Sequence, residues 1–164
     1  MKKILYSIFL LLAISCTFVS CGDDDPADAP APAGNPAEAA AAKYSGNWTV
    51  ISSGDTVVVP GTIKIEATDS AYTANFTFTS EQFSINVGGK DQTTKLNATS
   101  VANIAFAGAS GKSFDYSNSS DTNPMGTSFA GKIFEGNITS LFTLQQKVGR
   151  KKYEFSYRFV GQRQ

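Results

Sequence analysis

Apolar and polar side chains alternate through most of the chain after residue 43. Trp48-Thr49-Val50-Ile51, Val57-Val58-Val59, Thr62 to Glu66, Tyr72 to Phe78 and Phe83 to Val87 are short runs rich in β-branched and aromatic residues. Such residues fit a pleated, half-buried surface, so each run predicts a strand. Further runs follow at Val101 to Phe106, Phe114 to Tyr116, Phe129 to Phe134, Ile138 to Val148 and Tyr153 to Phe159. In the last of these, Tyr153, Phe155, Tyr157 and Phe159 fall on one face, with Glu154, Ser156 and Arg158 on the other. The gaps hold turn residues, among them Ser53-Gly54-Asp55, Asp69-Ser70, Gly88-Gly89, Asn123-Pro124 and Val148-Gly149. No stretch carries a helical period. Short strands joined by tight turns predict an all-β domain: an antiparallel up-and-down β-barrel of about eight strands, with a β-sandwich as the alternative.

The pattern before residue 43 is of another kind. Met1-Lys2-Lys3 is basic, and Ile4 to Val19 is apolar apart from a few small polar residues. That layout predicts a secretory signal over 1–20, because the run is short for a membrane span of about 20 residues. Residues 22–42 read GDDDPADAPAPAGNPAEAAAA, with four of the six prolines, nine alanines and no aromatic residue. Nothing there builds a core, so 21–42 predicts a disordered tether and 43–164 the folded domain, with the last alanines leading into it by a helical turn.

The junction resembles that of bacterial lipoproteins. Phe18-Val19-Ser20-Cys21 is similar to a lipobox, in which the cysteine becomes the acylated first residue; Cys16 is a rival. Cys21 is preferred because apolar sequence gives way to acidic there. Asp23, Asp24 and Asp25 resemble the acidic export signal of Bacteroidetes surface lipoproteins. The resemblance implies a diacylglycerol and fatty acyl (palmitate) anchor at Cys21 in the outer membrane, with the domain displayed at the cell surface.

Charge and composition mainly exclude. The chain is balanced, with 14 basic and 14 acidic residues, but the tether holds five of the acids. The domain is therefore weakly basic, which gives no field suited to nucleic acid. The chain has no histidine, and its two cysteines both precede the domain. Triads, dyads and the common metal sets are thus out of reach, so no catalytic residue, metal or cofactor is expected. A carboxylate-based hydrolase is ranked last. Gly108-Ala109-Ser110-Gly111-Lys112-Ser113 lacks phosphate-loop spacing and reads as a hairpin turn. Lys147 to Lys152 forms a basic hairpin tip, and Asp115 to Asp121 reads as a solvated loop rather than a calcium site.

Tyr44-Ser45-Gly46-Asn47-Trp48 resembles the Gly-x-Trp that opens the first strand of lipocalins and calycins. The resemblance implies that Trp48 closes one barrel end beneath a basic side chain of the last strand, Arg158 or Arg163. It also implies a non-enzymatic binding module for a small apolar or glycan ligand or a macromolecular partner, with Phe76, Phe78, Phe83, Phe106, Phe155 and Tyr157 able to line a cavity. The alternative is a structural or interaction lipoprotein whose barrel is filled. Asp55-Thr56-Val57 and Asp69-Ser70-Ala71 resemble the Bacteroidetes O-glycosylation signature, which makes Thr56 and Ser70 candidate sugar acceptors.

Overall fold

The computed structural model describes residues 32–118 and 127–164, which form one short helix and ten strands. The helix is α1 (Pro36–Ala40). The strands are β1 (Ala42–Ser52), β2 (Asp55–Ala67), β3 (Thr73–Ser80), β4 (Phe83–Val87), β5 (Lys90–Thr94), β6 (Asn97–Phe106), β7 (Ser113–Asn118), β8 (Phe129–Phe134), β9 (Asn137–Val148) and β10 (Lys151–Arg163). Eight of them close into an antiparallel ring, β1-β10-β9-β8-β7-β6-β3-β2, while β4 and β5 pair only with each other. Every step round the ring joins neighbours in sequence except two: β3 to β6, which is interrupted by the β4–β5 hairpin, and β1 to β10, where the first and last strands close the barrel. The barrel expected from the alternation is the fold, and the sandwich is not. Cys16, Cys21 and Asp23 to Asp25 lie outside the described residues, as do 119–126.

Inward residues are mostly apolar and outward ones mostly polar. On β3, Ala74, Phe76 and Phe78 are buried while Asn75 is exposed; on β10, Phe155, Tyr157 and Phe159 are buried while Glu154 and Arg158 are exposed. This is the reverse of a membrane-spanning barrel, whose outer band is apolar. Val57 to Val59 and Thr62 to Glu66, expected as two strands, are one. β3 meets β2 only from Gly61 onward, so Pro60 interrupts no ladder on that side. Strand β5, Lys-Asp-Gln-Thr-Thr, has no apolar period to announce it.

Both barrel mouths are covered. At one, Phe83, Ile85 and Val87 of β4 are buried, and the hairpin packs on β2 and β1. Its tip reaches β10, where Gly88 lies against the Tyr153 hydroxyl; a Cβ there would sit 2.3 Å from that oxygen. Asp55 accepts the Asn86 amide at 2.7 Å and ties the hairpin to β2. At the other mouth sits α1, with Asn35 as its N-cap (Ala37 N–H to Oδ1, 2.9 Å) and Pro36 at its first turn. Ala37 and Ala40, three apart on one helix face, are fully buried. The packed body therefore begins at Pro36 rather than at Lys43, because an alanine face can lie close against a barrel mouth where larger residues could not.

Arg163 holds this helix down. Its guanidinium donates to the Ala39 and Ala41 carbonyls at 3.1 and 3.0 Å, and the Tyr44 hydroxyl donates to the Ala40 carbonyl at 2.8 Å. Arg163→Ala should cost about 1 kcal/mol and speed amide exchange in α1 several-fold while leaving β6 to β9 protected. Exchange mass spectrometry of wild type and variant is the check.

Candidate functional site

The barrel interior is filled with side chains. Trp48 is fully buried, with the rings of Phe78, Phe142, Tyr157 and Phe159 at centroid distances of 6.1, 5.5, 6.2 and 4.7 Å. Phe129 continues the stack, 5.3 Å from Phe76 and 5.2 Å from Phe78, and Tyr116 lies 4.8 Å from Phe76. Four of the rings named as cavity-lining candidates, Phe76, Phe78, Phe155 and Tyr157, are fully buried core instead. Phe83 belongs to the hairpin lid, and Phe106 sits half-buried against Phe114.

The basic partner expected for Trp48 is replaced by aromatic rings. Arg158 is exposed on the outer wall, and Arg163 is engaged with α1. Trp48 lies deeper than an end-closing residue: the layer nearer that mouth is Tyr44, paired across the seam with Arg163. The indole N–H donates to the Thr79 carbonyl at 2.8 Å. Gly46 has a different role from closing the end. It stands opposite Gly61 of β2 and Gly161 of β10, so three glycines run in register across three strands. A Cβ on Gly61 would meet the Trp48 ring at 2.4 Å, and one on Gly161 would meet the Phe159 ring at 2.5 Å. The glycine row leaves the Trp48 and Phe159 rings room beside the backbone.

Buried phenols report the same dryness. Burial pushes the Tyr157 hydroxyl up from 10.0 to about 12, against the pull of the hydrogen bond from Gln146 at 3.2 Å. Tyr116 and Tyr44 are also pushed up by burial; the Ser140 hydroxyl offsets this for Tyr116, and the Arg163 charge offsets it for Tyr44. A raised phenol binds its proton more tightly folded than unfolded. Its contribution to stability is thus complete below about pH 10 and lost as pH climbs through about 12. Melting temperature should fall across that window together with the rise in phenolate absorbance, and Tyr157→Phe should flatten the fall.

The concave surface that remains is outside. A groove of about 960 Å³ crosses the outer wall from β6 to β10. Its floor is made of small residues, Ala105, Ala130 and Gly131, and the exposed side chains of Tyr72, Leu141 and Arg158 stand around it. Gly131 is there for a packing reason: the Tyr116 side chain crosses it to donate to the Thr139 carbonyl at 2.7 Å. Lys132 and Asp115 form an exposed ion pair at 3.6 Å in the groove. Among the groove residues the sequence singles out Arg158, for another role, and Asp115, expected at the start of a solvated loop but placed here on the exposed face of β7. The available signal was Leu141 and Ala130, apolar residues at positions where alternation calls for polar ones. A second concavity, of about 600 Å³, lies beside α1 and is bordered by Lys112, Glu135 and Arg163.

No protein-family model and no curated protein sequence matches the chain. It is similar in structure to a candidate outer membrane protein from Bacteroides fragilis, with a TM-score of 0.53 and 14% sequence identity over 79% of this chain. The likeness is one of fold. It takes in 53% of that protein, so this chain corresponds to about half of its length.

The remaining candidates are spread round the surface. Thr56 is exposed at the start of β2, and Ser70 is exposed in the β2–β3 turn at the opposite mouth. Asp55 and Asp91 both accept hydrogen bonds from Asn86, one from its backbone and one from its side chain, on the exposed hairpin lid rather than in a cleft. Lys147, Arg150, Lys151 and Lys152 are exposed at the β9–β10 turn, at the mouth away from α1.

Proposed function

We propose that this chain is a non-enzymatic, lipid-anchored outer-membrane protein, displayed outward, whose solid barrel is a scaffold and whose binding surface is its outer wall. One observation carries the reading: Trp48 and its ring neighbours occupy the space a lipocalin-like barrel would give to a ligand, while the groove over β6 to β10 stays open. Membership of the lipocalin-like or calycin-like barrels is part of this proposal, supported by the ring of eight strands and by the Gly46-Asn47-Trp48 spacing in the first strand, though not by a basic partner for Trp48. The anchor rests on the Cys21 lipobox, with Asp23 to Asp25 as export signal and Thr56 and Ser70 as exposed sugar acceptors.

Trp48 is the sole tryptophan, so its fluorescence reports on the interior alone. Titration with palmitate should leave its emission unchanged, and a shift in emission would sink the filled-scaffold reading. A photo-crosslinking residue in place of Leu141, in cells of the native host, should give adducts that the same residue in place of Thr99 does not. Equal labelling at both positions would speak against the outer wall as a specific surface.

A further inference from the structure

The groove over β6 to β10 has a charge imbalance that selects its occupant. Lys132 is matched by Asp115 at 3.6 Å. Among the described residues Arg158 has no such match: Thr49 and Leu141 face it across the two neighbouring ladders, and none of their outward neighbours, Asn47, Ile51, Thr139 and Thr143, is acidic. One exposed guanidinium at one end therefore lacks a counter-charge among the described residues. At the other end Tyr72, 67% exposed, offers its ring, held in place by its carbonyl accepting the Ile104 amide at 2.9 Å. Between them lie hydrogen-bonding groups of both kinds, the Asn103 amide, the Asp115 carboxylate and the Ser117 hydroxyl, above a floor of alanine and glycine.

We propose that this groove binds an anionic oligosaccharide, one that carries uronic-acid carboxylates, with Arg158 on a carboxylate and Tyr72 against a sugar face. The inference rests on the outer-wall reading above. Four inter-strand steps of about 4.8 Å make the groove roughly 19 Å long, which suits a chain of sugars better than a single ring. An exposed aromatic ring and aliphatic floor meet the C–H faces of pyranoses, and the side chains meet their hydroxyls. A guanidinium pairs with a carboxylate through two parallel N–H donors. Asp115 accepts from sugar hydroxyls but repels a cluster of phosphates. An extended peptide gains nothing from the backbone here, since β6 to β10 are paired on both sides within the closed ring.

The test is calorimetric titration of the intact chain, held in phosphatidylcholine nanodiscs, with hexagalacturonate and with uncharged maltohexaose. Hexagalacturonate should bind at least tenfold more tightly than maltohexaose. Arg158→Gln should remove that preference, and Tyr72→Ala should weaken both sugars, with melting temperatures unchanged because both side chains are exposed. Equal affinity for the two sugars, or affinities indifferent to both substitutions, overturns the proposal. Absence of binding by either sugar also overturns it, yet leaves the Leu141 crosslinking result to stand or fall by itself.

Discussion

Replacing Trp48 by alanine should cost about 4 kcal/mol or more and leave a barrel that melts on the order of 10 °C lower. The magnitude follows from three losses at one position. A fully buried indole leaves a void that closed strands on every side cannot collapse into. Edge and tilted contacts with Phe78, Phe142, Tyr157 and Phe159 disappear, each worth about 0.5–1.5 kcal/mol beyond burial. The part-buried Thr79 carbonyl also loses its donor. Against a typical total of 5–15 kcal/mol the change is large. Trp48→Phe separates the contributions: it keeps a ring but loses the N–H, and should cost about 2 kcal/mol. Urea unfolding followed by circular dichroism gives both values. A Trp48→Ala loss below about 1 kcal/mol would mean that the interior is loosely filled, and a ligand cavity would again be plausible.

How far the sequence discloses this protein depends on what each residue's neighbours are. Alternation is a property of one strand, so Tyr153 to Phe159 and Phe129 to Phe134 announce both their conformation and their inward faces. The eight-stranded ring follows from their number and spacing. What a side chain meets across the barrel is not local. Trp48 invites a basic partner by analogy, and only the fold reveals that Arg163 is engaged with α1. β5 escapes notice because a hairpin lid needs apolar residues on β4 alone. The alanines before Lys43 announce a helical turn but not its burial, because alanine reads the same in a solvated tether as in a close helix contact. The outer groove is written faintly: Leu141 and Ala130 break the polar rhythm of their outward faces, but their proximity needs the register of β8 on β9. Functional assignment suffers most, since the aromatic abundance that suggests a ligand cavity is the material that fills it.

Gly46→Ala is the substitution expected to damage the ring itself. Its Cβ would lie 2.1 Å from the Val160 carbonyl oxygen and 2.4 Å from the Gly161 Cα. Both are backbone atoms of β10, which cannot step aside as the end of a flexible side chain could. Gly46 sits in the β1–β10 ladder, where the first and last strands close the barrel. Relief must therefore come from parting the two strands near Gly46 and Gly161, at the expense of neighbouring pairs such as Trp48 with Phe159. Overpacking usually costs 1–3 kcal/mol, and a clash confined to backbone belongs at or beyond the upper limit, so about 3 kcal/mol or more is expected. The damage should also be local. Amide exchange should quicken along β1 and β10 while β6 to β8 keep their protection, because only the seam is forced open. Gly54→Ala, at a turn glycine with nothing within 4 Å of its Cβ position but a φ of 84°, is the control; it carries backbone strain without a clash. That variant should lose about 1 kcal/mol. If Gly46→Ala proves no worse than Gly54→Ala, the first and last strands do not meet as closely as the ring requires, and the Gly-x-Trp opening has no part in closing it.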